Sequence, residues 1–155
     1  MLSILRIITA LTFDKSPGPH PTMNNSKINY RGIPGKGYMW SDEDGISWAV
    51  LAANAVLELD DVKALVDLAR QTHNPQRPFL LLLDGREIGG MSNEARNYGV
   101  HSSFTSMIKA MAIVVDSPST RILANFYMKF NRPKIPTRVF SDPAIAKAWL
   151  LNTPN

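Results

Sequence analysis

Acidic residues follow two apolar runs of the chain and are the residue types best suited to chemistry. Asp84-Gly85 ends the first run, and Asp116-Ser117 ends the second. If these runs are neighbouring parallel strands, their carboxyl ends share the sheet edge at which open α/β folds bind ligands. Two carboxylates there could perform acid/base work, but a metal ion requires more ligands than two acids provide. We therefore take Asp84, Gly85, Asp116 and Ser117 as a candidate strand-end cleft and predict no metal site.

Ser92 lies at the end of a glycine-rich loop, just before a segment with the pattern of a helix. Serine is a preferred N-cap residue, since its hydroxyl accepts a backbone N–H of the first helical turn. A phosphate on the same hydroxyl would also be favourable, because its charge would face the positive end of the helix dipole. We predict a cap at Ser92 and keep it as a candidate phospho-acceptor or interaction residue.

Other patterns of catalytic residues are missing from the sequence. Cysteine is absent, which excludes disulfides and thiolate metal sites and fits a reducing cytoplasm. His20, His73 and His101 are far apart, and no G-x-S-x-G motif accompanies them, so a serine hydrolase has no support. The segment from Gly32 to Gly37 lacks the spacing of a phosphate-binding loop. We predict no cofactor and no catalytic residue; the remaining enzymatic interpretation uses the two acids of the strand-end cleft.

The net charge of +4 is concentrated near the amino terminus. Residues 1–36 hold five basic residues and one acidic residue, whereas the rest of the chain is balanced. Binding to nucleic acid needs basic charge clustered on a folded face. We therefore predict no nucleic-acid partner.

The amino-terminal segment has the composition of a short leader followed by an arm. Residues 1–13 are apolar, but a membrane span needs roughly 20 such residues, so we predict no integral membrane segment. Pro and Gly recur through residues 16–37 and disfavour a helix or a central strand. We predict a flexible arm over 1–36 and one domain over 37–155. Translation from Met23 would omit the leader, so membership of residues 1–22 in the native protein stays open.

The domain shows alternating strand and helix patterns. Two continuous apolar runs, ending at Leu83 and Val115, are typical of parallel strands buried on both faces. Asp44-Gly45 between two apolar runs predicts a hairpin, and the segment from Leu59 to Thr72 has the apolar spacing of an amphipathic helix. The predicted order β-β-α-β-α-β-α-β-α implies a parallel α/β sheet.

The helix predicted from Pro118 to about Phe130 carries bulky residues on more than one side. These residues are Phe126, Tyr127, Met128 and Phe130. Four such neighbours cannot all face one core. The candidate apolar patch that they form fits a contact with a protein partner, a lipid or a second copy, or else a helix buried on several sides.

Several motifs together carry a family resemblance. They are D-E-D-G, L-L-L-D-G, S-N-E-A-R, N-F-Y-M-K-F-N-R-P-K-I-P-T-R-V-F and a terminal A-W-L. In this order, over about Gly37 to Asn152, they resemble STAS-like proteins related to sporulation anti-sigma-factor antagonists, in a small bacterial branch. The resemblance implies a mixed, mostly parallel sheet of about five strands, helices mainly on one face, and no enzymatic activity. In antagonist members a serine at the position of Ser92 accepts phosphate, although their Asp-Ser-Ser-Gly run is here Gly90-Met91-Ser92-Asn93.

Two functions follow from these observations. The first is a non-enzymatic protein-interaction module of the bacterial cytoplasm with a regulatory role. The alternative is a carrier or sensor of a small hydrophobic ligand or lipid, held between the sheet and the helix near Phe126 to Phe130, because this branch also resembles the CRAL-TRIO lipid-binding proteins in fold. The identity of the protein partner or ligand and the formation of a homodimer stay open.

Overall fold

Strands and helices alternate along residues 31–101 and 103–154, the part of the chain that the computed structural model describes. Side chains at positions 100, 101, 123, 126, 127, 130 and 131 are outside that description. The strands are β1 (Arg31–Ile33), β2 (Gly37–Ser41), β3 (Ile46–Leu51), β4 (Val56–Leu57), β5 (Phe79–Asp84), β6 (Gly90–Met91), β7 (Ile108–Val114) and β8 (Thr137–Phe140). The helices are α1 (Leu59–Thr72), α2 (Asn93–His101), α3 (Pro118–Asn131) and α4 (Pro143–Leu151), with a 3-10 helix over Ser103–Met107.

The main sheet contains six strands in the order β1-β2-β3-β5-β7-β8. Strands β1, β2 and β3 are antiparallel neighbours, whereas β3, β5, β7 and β8 run parallel. The parallel part forms because β5 and β7 are continuous apolar runs that can be buried on both faces. Strands β4 and β6 pair separately in a two-stranded parallel sheet. The predicted mixed, mostly parallel sheet is confirmed, with β5 and β7 paired on both sides.

The predicted hairpin joins β2 to β3 and is held by one carboxylate. Asp42 Oδ1 accepts the backbone N–H groups of Asp44 and Ile46 at 3.0 and 2.9 Å. Gly45 has a φ of 79°, a left-handed conformation that glycine adopts without steric cost. Lys147 Nζ on α4 lies 2.8 Å from Asp42 Oδ2, so the turn is tied to the last helix.

The sheet begins at Arg31, earlier than the domain start at Gly37 that the sequence predicts. Strand β1 pairs with β2 across a turn in which Gly35 has a φ of 71°. A Cβ at Gly32 would lie 2.9 Å from the carbonyl oxygen of Gly37, so the close strand approach needs a glycine there. The residues that predict an arm therefore include a sixth strand, β1, and the turn that joins it to β2. The rest of the predicted arm, residues 1–30, lies outside the described residues.

The two faces of the sheet are covered unequally. On the face that we call the first face, α1, α2 and α3 pack against alternate strand residues such as Leu51, Leu81 and Met111. On the opposite, second face, α4 buries Ala146 and Leu150 among residues that include Trp40, Trp48, Leu82 and Val114. The helices thus lie mainly on one face, as predicted.

Candidate functional site

A partly enclosed cavity of about 230 Å³ lies between the first face of the sheet and the helices that cover it. Its floor consists of alternate strand residues, because every second side chain of a strand points to the same face. These floor residues are Ala49, Leu51, Leu81, Leu83, Met111 and Ile113. Helices α1, α2 and α3 close the opposite side with Val62, Leu65, Val66, Ala95, Arg96, Gly99, Thr120 and Ala124. The cavity is therefore lined almost entirely by apolar groups.

Two glycines in the lining leave space that a side chain could occupy. Gly90 in β6 and Gly99 in α2 both line the cavity, and a Cβ built at either would meet no heavy atom of the described residues within 4 Å. Neither glycine has the positive φ that would require this residue type. Glycine inside a helix costs about 1 kcal/mol relative to alanine. Neither a steric contact with the described residues nor the backbone conformation explains Gly99, which is half-buried in the cavity wall.

Arg96 is the only charged residue among the described residues that line the cavity. It is half-buried, and its guanidinium donates a hydrogen bond to Oδ1 of Asn93 one turn earlier in α2. Because Gly99 follows three positions later, Arg96 and the space that Gly99 leaves are neighbours on the helix surface. The lining thus combines an apolar floor with one cationic group on α2.

The predicted strand-end cleft contains a buried ion pair. Asp84 ends β5 and is only 2% exposed. Arg86 forms a bidentate contact with it, with Nη2 2.7 Å from Oδ2 and Nε 3.0 Å from Oδ1. These hydrogen bonds raise the pKa of Arg86, and the charges of Asp84, Asp116 and Glu87 act in the same direction. The Asp84 carboxylate is therefore engaged with a cation of its own loop.

The other members of the cleft lie beside this pair. Gly85 lines the cavity, and its N–H donates to the carbonyl of Val114 at 3.0 Å, which links β5 to β7. Asp116 is exposed, and Ser117 caps α3 by accepting the Thr120 N–H at 3.1 Å. Within the described part of the chain, no cluster of three or more His, Asp or Glu side chains has the arrangement of a metal site.

Ser92 stands immediately before α2 and bonds to its first turn. Its hydroxyl accepts the Ala95 N–H at 3.3 Å, while its own N–H donates to the carbonyl of Leu57 at 3.0 Å. This is the geometry of a cap residue. The same helix places Ala95, Arg96 and Gly99 in the cavity lining, so Ser92 fixes the start of the element that walls the cavity.

The candidate apolar patch belongs to α3. Met128 is half-buried, and the side chains of Phe126, Tyr127 and Phe130 are outside the described set. On the same helix, Ala124 is buried against the cavity, whereas Ile122 is 68% exposed. Helix α3 therefore presents one face to the cavity and another to solvent.

A contact between a buried serine and a half-buried histidine was not identified from the sequence. Ser47 on β3 is 1% exposed, and its hydroxyl lies 3.1 Å from His73 Nε2 at the end of α1. The His73 ring stacks on Phe79 with centroids 3.8 Å apart, and burial lowers the pKa of the imidazole. Ser47 is closed to solvent, so the pair joins α1 to the sheet and does not present a nucleophile.

The sequence also did not directly indicate that Arg96 and Gly99 line a cavity. The available signal was a glycine within a helix pattern, which costs stability and therefore calls for a packing or functional reason. That signal becomes informative only when the fold shows that residue 99 faces open space.

Comparisons with known proteins agree with this architecture. Residues 39–153 match the model of a family described as a domain of unknown function, DUF7793. No curated protein matches the chain significantly. The fold is similar to the crystal structure of an uncharacterized DUF3478-family protein with a SpoIIAA-like fold from Shewanella loihica PV-4, with a TM-score of 0.51 and 17% sequence identity over 79% of this chain and 91% of that chain. In the described part of the chain, every helix is too short or too polar to span a bilayer. The protein thus has a SpoIIAA-like α/β fold, and it belongs to the DUF7793 family.

Proposed function

We propose that this domain binds a small apolar molecule, as a non-enzymatic carrier or sensor, in the cavity between the sheet and α1, α2 and α3. The observation that carries the proposal is the apolar cavity of about 230 Å³, together with the open space in front of Gly99. The predicted alternative function placed the ligand between the sheet and the later part of α3. Among the described lining residues, α3 contributes Thr120 and Ala124, and α1 and α2 contribute the other helical residues. The side chains of Phe126, Tyr127 and Phe130 lie outside the described set, so their part in the wall stays a prediction.

The cavity volume limits the size of the ligand. An engineered apolar cavity of about 150 Å³ holds one benzene molecule, whereas pockets for drug-sized ligands have about 300–1,000 Å³. By proportion to the benzene cavity, a volume of about 230 Å³ accommodates roughly nine carbon atoms. The expected ligand is therefore a single small ring system or a chain of about eight carbons.

The packing of the cavity lining supports a functional origin. Apolar groups that line a partly open cavity lack the packing contacts and the full burial that core residues have. A ligand that fills the cavity supplies those contacts. Larger side chains at positions 90 and 99 of the lining could supply part of them, but the sequence has glycine at both.

A titration with 1-octanol tests the proposal with a probe of the expected size. We expect saturable changes in the NMR signals of cavity residues such as Leu81, Met111 and Ala95. Gly99→Leu should fill the space and weaken binding at least tenfold. Gly99→Ala is the matched control, because it adds one methyl group and should bind nearly as well as the parent. Absence of saturable binding, or equal binding by the leucine variant, would show that the cavity is not a ligand site.

A second candidate function is a regulatory protein-interaction module. It is favoured by the position of Ser92, which caps the helix that supplies Ala95, Arg96 and Gly99 to the cavity wall. A partner that contacts the start of α2 would sense changes in that wall. Affinity capture with the parent, Ser92→Ala and Ser92→Asp proteins tests this candidate. A partner retained by the parent and alanine proteins but lost with aspartate supports regulation at Ser92, and equal capture by all three contradicts it.

A further inference from the structure

We infer that the ligand of the cavity is an acidic amphiphile, an apolar chain that carries one carboxylate, and that Arg96 binds this carboxylate. The inference rests on the proposed function and specifies the chemistry of its ligand. It follows from the charge balance of the cavity wall.

The cationic charge of Arg96 has no anionic partner among the residues that the structure describes. The hydrogen-bond acceptor on its guanidinium is the neutral side-chain amide of Asn93. Other partly buried arginines of the protein are paired: Arg86 with Asp84 and Arg70 with Asp67. A charge beside an apolar cavity is costly unless it is paired, because the surroundings solvate it poorly. An anion supplied by the ligand would provide the missing pair.

The position of Arg96 also suits a ligand with a charged end and an apolar body. Arg96 is half-buried, while the floor of the cavity beneath it is formed by residues such as Leu81 and Met111. Gly99 leaves open space on the same side of α2. A chain can therefore lie on the apolar floor while its charged end stays at the partly solvated arginine.

The number of charges favours a carboxylate over a phosphate. A carboxylate carries one negative charge and accepts two parallel hydrogen bonds from a guanidinium. A phosphate monoester carries about 1.5–2 negative charges near pH 7. The lining residues include one cation, Arg96, and no second one among those described, so a single carboxylate balances the site.

Paired titrations of octanoate and 1-octanol test the inference, because the two probes have the same chain length and differ in the charged end. We expect the parent protein to bind octanoate at least tenfold more tightly than 1-octanol, as charge-assisted hydrogen bonds are the stronger ones. Arg96→Gln should remove this preference by weakening octanoate at least tenfold, while 1-octanol binding stays within twofold. Arg77→Gln is the control, since it removes one positive charge from an exposed residue outside the lining.

The outcomes separate this inference from the proposed function. If 1-octanol and octanoate bind equally to the parent and to the Arg96→Gln protein, the cavity is a ligand site but the acidic ligand is wrong. If neither probe binds the parent, the proposed function itself fails. Octyl phosphate should bind more weakly than octanoate, and tighter binding would overturn the carboxylate assignment. Thermal unfolding of both variants verifies that each is folded.

Discussion

The two faces of the sheet pack differently although they share the same strands. On the second face, the rings of Trp40 and Trp48 stack with centroids 5.5 Å apart, and Phe140 meets Trp149 of α4 at 5.6 Å. On the first face, three helices cover a cavity of about 230 Å³. One backbone supports both arrangements, so the sheet itself does not impose the void. The difference between the faces therefore lies in the side chains and helices that cover them.

One cation on each face shows the same contrast, although α1 on the first face also carries paired charges such as Lys36–Asp61. On the second face, Lys147 of α4 lies 2.8 Å from Asp42 and 2.6 Å from Asp44, so the helix is anchored by paired charges. On the first face, Arg96 of α2 has a neutral partner, Asn93. The second face therefore has the features of a structural core, whereas the first combines open space with a charge available to a ligand.

The largest expected effect comes from truncating adjacent leucines of β5 that point to opposite faces. Leu82 has 0% exposure within the second-face core, whereas Leu83 lines the cavity. Leu82→Ala should lower the free energy of unfolding by about 3–5 kcal/mol, because a new cavity forms in a packed core. Leu83→Ala should cost about 1–2 kcal/mol, because its side chain already has fewer neighbours. Urea unfolding measures both, and equal losses would show that the two faces are packed alike.

A smaller effect is expected at the start of α2, which forms part of the cavity wall. Ser92→Ala should cost about 1 kcal/mol by removing the cap on the Ala95 N–H. Ser92→Asp should cost little, because a carboxylate also caps and suits the helix dipole. Ser119→Ala, at an exposed position in the first turn of α3, is the control and should change stability by less than about 0.5 kcal/mol. Urea unfolding measures both variants. If Ser92→Ala and Ser119→Ala lower the free energy of unfolding equally, Ser92 does not act as a cap.

The smallest effect is a pH dependence at His73, which joins α1 to the sheet. Burial holds its pKa below the ordinary value of 6.5, so the unfolded chain takes up the proton first as the pH falls. The stability contributed by neutral His73 is therefore present above about pH 6.5 and is lost as the pH falls toward the folded-state pKa. His73→Gln keeps a hydrogen-bonding group but does not titrate, so its stability should fall less between pH 7.5 and 5. If the stabilities of the parent and His73→Gln proteins fall equally over this pH range, titration of His73 does not affect folding.

The sequence predicted the fold well because its signals are local. Apolar runs identified β5 and β7, Asp44-Gly45 identified the hairpin, and the helix predicted from Pro118 starts where α3 does. Strand β1 was assigned to the arm, because glycines that usually interrupt structure here allow the close approach of two strands. Local composition cannot distinguish these two uses of glycine.

The candidate site was less predictable because a cavity depends on residues far apart in sequence. Its floor comes from β3, β5 and β7, and its wall comes from three helices. The strand-end acids were visible in the sequence, but the burial of Asp84 against Arg86 depends on the packed loop. Gly99 was visible as a residue, yet the space in front of it exists only in the assembled fold.

The central claim is that the first face keeps space for a ligand at the expense of stability. Thermal unfolding of the parent, Gly99→Ala and Gly99→Leu proteins, each with and without 1-octanol, tests it directly. Without ligand, Gly99→Leu should be more stable than the parent by about 1 kcal/mol or more, since it fills open space and favours the helix. With 1-octanol at ten times its dissociation constant, the parent and alanine proteins should gain about 1.4 kcal/mol and the leucine protein nearly nothing. A leucine variant that is destabilised, or that gains as much from 1-octanol as the parent, would contradict the claim.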